Sequence, residues 1–121
     1  MSIWTHVTGI IRIETSTGLF EKDIEKMLGK KILYSSNEVT KELYKTNPEK
    51  FMPRHLNYHI YNHNYKYELP SCVISIFGDI DDYSDSEAIL KWFKSSIEKS
   101  NYNIRQACIT IKGLSDITWS I

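Results

Sequence analysis

From Ile3 to Ile13 the chain runs for eleven residues with no proline, rich in β-branched side chains. Such a run is a strand, and successive residues of a strand point to opposite faces. Ile3, Thr5, Val7, Gly9, Ile11 and Ile13 share one face; Trp4, His6, Thr8, Ile10, Arg12 and Glu14 share the other. The first set is the apolar one and is expected to face a core. Gly9 in mid-strand predicts a bulge or the close approach of another element. A strand this long, with one apolar and one mixed face, needs a sheet around it and a layer packed on one side only.

The rest of the chain supplies that layer. Phe20, Ile24, Met27 and Leu28 recur at helical spacing and predict a helix over about Leu19 to Leu28, ended by Gly29 as its C′ residue, with Lys30 and Lys31 at the negative end of the dipole. Residues 30 to 54 read as an insertion: a short strand at Ile32-Leu33-Tyr34, a short helix through Val39, Leu43 and Tyr44, then an irregular passage set by Pro48 and Pro53. His55 to Tyr61 alternates as a strand, with Leu56, Tyr58 and Ile60 on one side. Asn62 to Asn64 reads as a turn, after which Tyr65 to Tyr67 would continue a hairpin. Cys72 to Phe77 is nearly continuous in apolar residues and reads as a central strand buried on both faces, ended by Gly78 and Asp79. Ser84 and Glu87 have capping-box spacing before a helix that turns Ile89, Leu90, Phe93 and Ile97 inward. Ile104 to Ile111 is a strand, and Ile117, Trp119 and Ile121 alternate in a last one.

Without the insertion and the last strand, the order is βαββαβ. That predicts an α+β fold of ferredoxin-like type: an antiparallel sheet with a C-terminal strand added, two helices on one face, and an insertion at about 30–54. Its 121 residues suit a single domain, residues 1–121, and 41% hydrophobic with 25% charged residues is ordinary globular usage. No apolar run approaches the ~20 residues of a membrane-spanning helix. Residues Met1 to His6 carry neither a basic nor an apolar leader segment, so the expected location is the cytoplasm. Cys72 and Cys108, far apart and each in an apolar stretch, are expected to be buried thiols rather than a disulfide.

Chemistry-bearing patterns are few. His55, His59 and His63 are spaced by four, but on a strand that spacing separates neighbours by about 13 Å, too far to share a metal. The run from Asp79 to Glu87 departs from a calcium loop at its fifth, sixth and twelfth positions, which are Tyr83, Ser84 and Leu90. Its carboxylates, Asp81 and Asp82 among them, read as acids gathered before a helix N-terminus, and as a negative patch open to a basic partner. The outer face of the first strand brings Trp4, His6 and Arg12 together, with Arg105 and Gln106 expected beside them and His59 as a further candidate. Aromatic residues on an open sheet can stack bases. Fifteen basic residues against fifteen acidic ones, however, remove most of the phosphate attraction that nucleic-acid binding requires. No Walker, GxSxG or GxGxxG motif is present, so no cofactor is expected and a non-enzymatic role is favoured.

Three segments, Ile3 to Arg12, Ile74 to Tyr83 and Ile104 to Ala107, together resemble small, functionally uncharacterised proteins encoded by bacteriophages and prophages of low-GC Gram-positive bacteria. The resemblance covers about a third of the chain and omits residues 30 to 54. It implies an accessory protein of a mobile element, an inhibitor that binds a host protein or sequesters a small anionic ligand, and it assigns no catalytic residue. A single-stranded nucleic-acid-binding module is the alternative. A homodimer is expected if Ile117, Trp119 and Ile121 form an exposed edge.

Overall fold

A computed structural model describes residues 4–15, 21–31, 51–53, 55–63, 71–81, 86–113 and 115–121. The alternating segment forms β1 (Trp4–Glu14), the middle strand of a five-stranded sheet. The others are β4 (Asn57–His63), β5 (Ser71–Asp81), β6 (Asn103–Lys112) and β7 (Ile117–Ser120), in the order β4-β5-β1-β6-β7, and every neighbouring pair is antiparallel. β2 (Lys30–Lys31) and β3 (Phe51–Met52) form a separate parallel pair, so the chain enters and leaves the 30–54 insertion side by side. The short strand at 32–34, the helix through residues 39–44 and the hairpin at 65–67 lie outside the described residues.

Burial follows the two-residue period. In β1, Thr5, Val7, Gly9, Ile11 and Ile13 are buried and Trp4, His6, Thr8, Ile10 and Arg12 are exposed. Ile74 and Ile76 of β5 and Ala107, Ile109 and Ile111 of β6 continue the buried face. Both helices pack on it. α1 (Glu21–Leu28) contributes Ile24, Met27 and Leu28, and α2 (Ser86–Lys99) contributes Ile89, Trp92 and Phe93. The two helices are tied together where the Trp92 indole N–H donates to the Leu28 carbonyl at 2.7 Å, so a buried aromatic caps a helix end that would otherwise leave an orphan acceptor. Gly29 ends α1 at φ 90°, as a C′ glycine does. Among the described residues, no helix is long and apolar enough to cross a membrane.

Gly9 and Gly78 lie where other elements approach the sheet closely. A Cβ at Gly9 would sit 3.2 Å from the Cys108 carbonyl oxygen and at an ordinary 3.5 Å from the Phe93 ring, so α2 packs directly over the mid-strand glycine. Phe93 in turn meets Trp119 edge-on, with ring centroids 5.9 Å apart, and Lys94 lies over that indole, which docks β7 on α2. At Gly78 a Cβ would lie 2.5 Å from the His55 carbonyl oxygen and 3.0 Å from Leu56, so the chain entering β4 crosses directly over this point of β5.

Four expectations need correction. β5 does not end at Gly78 and Asp79. Gly78 pairs with Val7 and the strand continues to Asp81, because a residue without a side chain keeps the ladder while making room for Leu56. Nor is β5 buried on both faces: Ile74 and Ile76 are buried, while Phe77 on the opposite face is 47% exposed. Asp79 and Asp81 belong to this strand and not to a helix approach. Of the cysteines, Cys72 is buried and donates to Asn62 Oδ1 at 2.9 Å, but Cys108 is only partly buried, since it falls in the opposite phase to Ala107 and Ile109.

Candidate functional site

Since both helices lie on one side, the other side of the sheet is free of helices among the described residues. Register places its side chains in rows across the strands. Asp79, His6 and Lys112 make one row; Asn57, Phe77, Thr8, Thr110 and Thr118 make the next. His59, Ser75, Ile10, Cys108 and Ser120 follow, and then Tyr61, Val73, Arg12 and Gln106. Among the described residues, four of the five exposed large apolar side chains, Trp4, Ile10, Tyr61 and Phe77, are on this face.

Its polar groups are partly organised. His6 Nδ1 lies 2.5 Å from Asp79 Oδ1, with both side chains 60% exposed. At the far end Glu14 accepts from Arg105 Nη1 at 3.0 Å and from Asn103 Nδ2 at 3.0 Å, so Arg105 is committed to a carboxylate of its own chain. A register shift between Arg12 and Ile13 puts a bulge in this pairing, and Arg105 and Gln106 are both exposed there. Among the described residues no carboxylate pairs with Arg12.

The candidates therefore share a face without sharing a pocket. Trp4, His6, Arg12, His59 and Gln106 stand on the open face, with Arg105 at its bulged margin, and Asp81 is opposite Trp4 in register. Asp82 lies outside the described residues. Trp4 and Arg12 are eight residues apart on one strand, about 26 Å at the usual rise, so no small ligand reaches both. Among the described residues no three of His, Cys, Asp and Glu are grouped so as to hold a metal ion. A cleft of about 240 Å³, lined by Asp23, Lys26, Lys99 and Tyr102, lies on the helix side, and its lining includes none of the candidates. It is smaller than the ~300–1,000 Å³ usual for ligand pockets.

Phe77, Tyr61 and Lys112 were not among the sequence candidates, and Asp79 stood only in the acidic run before the second helix. The signal for Phe77 was present: it keeps phase with Val73 and Ser75, opposite to Ile74 and Ile76. Asp79 could be placed only by knowing that β5 continues past Gly78. No family model, no curated protein and no solved structure matches the chain.

Proposed function

We propose that this chain is a non-enzymatic binding protein that works through the helix-free face of its sheet, and that its partner is another protein. The observation that supports this is the distribution of exposed groups: Trp4, Ile10, Tyr61 and Phe77, with Arg12 and His6, spread over the whole face. Aromatic residues and arginine are the side chains enriched in protein-binding patches. Aromatic residues on an open sheet would also suit single-stranded nucleic acid, but zero net charge and Asp79 on the face itself weigh against a polyanion. A small anion sequestered by Arg12 and Arg105 is disfavoured because Arg105 already pairs with Glu14.

The fold is read as a ferredoxin-like sandwich with a strand added beyond β6; the strand order and the placement of both helices on one face favour that reading. With the resemblance to phage and prophage proteins, the role proposed is that of a mobile-element accessory protein that inhibits a host component. The test uses tagged protein as bait in lysate of a low-GC Gram-positive bacterium. A host protein recovered by the wild type and by Lys91→Glu on α2, but lost with Phe77→Asp and with Tyr61→Asp, is the expected result. Recovery indifferent to the face substitutions overturns the reading. Binding of single-stranded DNA or RNA at low salt that depends on Trp4 and Phe77 replaces it with the nucleic-acid alternative.

A further inference from the structure

We infer that, in the free protein, the open sheet face is covered by the same face of a second copy, related by a two-fold axis that runs near β1. This deepens the protein-binding reading above and rests on it. The first argument is area. At about 3.3 Å per residue and 4.8 Å between strands, the five strands present roughly 700 Å². That is close to the roughly 800 Å² per partner of a standard stable interface. Faces of two sheets also pack readily, with their strands aligned to within about 30°.

The second argument is charge. β1 is the third of five strands, so a two-fold axis along it lays β5 of one copy over β6 of the other and keeps each row in place. The charged residues of the His6 row lie on either side of β1: Asp79 on β5 and Lys112 on β6. The operation puts Asp79 opposite Lys112 of the second copy, and Lys112 opposite Asp79 of the second copy, giving two ion pairs from one complementary arrangement. Two rows further on, Ile10 falls on the axis and meets its own equivalent, flanked by the small side chains of Ser75 and Cys108. Phe77 falls over Thr110, which leaves room for the ring. The same axis brings the two Arg12 side chains together, a repulsion that limits the affinity. A host partner would compete with the second copy for this face.

The experiment is light-scattering mass across a dilution series of the full chain. The expected result is a mass of two chains that falls toward one on dilution. Asp79→Lys alone and Lys112→Asp alone should each weaken association by about tenfold or more, and the double exchange Asp79→Lys/Lys112→Asp should restore it. Arg12→Gln should strengthen it. These positions are exposed, and near-ultraviolet circular dichroism checks that each variant keeps its packing. A mass of one chain at every concentration overturns the dimer, as does weakening by the single charge variants that the double exchange does not repair. If the chain is monomeric while Phe77→Asp still abolishes capture of a host protein, the dimer falls and the protein-binding reading stands. If neither association nor capture depends on the face, both fall.

Discussion

Gly78→Ala tests how the two halves of the molecule are locked together. The new Cβ would lie 2.5 Å from the His55 carbonyl oxygen and 3.1 Å from the Leu56 Cα, both of them backbone atoms. Neither can yield by a rotamer change, so the chain entering β4 or the middle of β5 must move by more than half an ångström. Leu56 is fully buried and would lose part of its packing in either case. Overpacking usually costs about 1–3 kcal/mol, and a clash with backbone belongs at the upper end, about 3 kcal/mol. With an unfolding entropy of about 2.1 cal/mol/K per residue over 121 residues, that lowers Tm by about 12 °C. The control is Gly9→Ala, where the tightest contact is 3.2 Å and the others are ordinary. There the reduced freedom of the unfolded chain offsets the crowding, and the change stays within about 1 kcal/mol of the wild type. Thermal unfolding followed by far-ultraviolet circular dichroism gives both values. If Gly78→Ala is no worse than Gly9→Ala, the crossing of residues 55–56 over β5 is wrong, and with it the account of why β5 continues to Asp81.

Trp92→Phe keeps the ring but leaves the Leu28 carbonyl without its donor, and should cost about 1–3 kcal/mol in urea unfolding; a loss within error would mean water or another donor replaces the indole. His6→Ala and Asp79→Asn, which remove an exposed pair, should each change stability by less than about 1 kcal/mol in the same assay, and a larger loss would assign the pair a structural role. Burial raises the phenol pKa of both Tyr58 and Tyr102, with Glu21 and Glu25 adding to the shift at Tyr58, and Asp23 at Tyr102. Because the fold holds these protons more tightly than the unfolded chain does, their contribution is fully present below the ordinary value of 10.0 and is lost as pH rises through the raised folded values. Urea midpoints on either side of pH 10.0 should fall less in Tyr58→Phe/Tyr102→Phe than in the wild type; equal falls would remove the tyrosines from the explanation.

The elements were legible where a single period ran without interruption. β1 can be read to within a residue because its alternation is unbroken, and Gly9 announces the approach that Phe93 makes. α1 is legible at its end because Gly29 combines the end of a helical stripe with a residue that tolerates positive φ. Trp92 was missed among the inward residues of α2, although it is fully buried beside Phe93. Its neighbours at helical spacing, Ala88 and Ser96, carry little apolar weight, so the stripe centred on Ile89 and Phe93 hid how wide the buried surface is. β7 is an edge strand of the sheet, as its alternation suggests, but its apolar residues are not all exposed. Trp119 packs on α2, and among the apolar residues of this segment Ile121 is the large exposed one.

The site was legible as a face and not as an arrangement, for one physical reason. The two-residue period decides which side of the sheet a residue occupies, but not which residue of another strand it meets. Trp4, His6, Thr8, Ile10 and Arg12 could be assigned to one surface from β1 alone. The partner of His6 is 73 residues away, and it is reached only if β5 keeps its ladder past Gly78. In a sequence, glycine followed by aspartate reads as the end of a strand, since both residues favour turns. Here the glycine is present because Leu56 needs the space, and the aspartate is present because the strand goes on to bring it opposite β1. Once Gly78 is read as a crossing point, Asp79 moves from a solvent-facing helix approach onto the open face, opposite His6 and two strands from Lys112. That single change of register turns a scattered set of candidates into a surface with opposite charges on either side of its central strand.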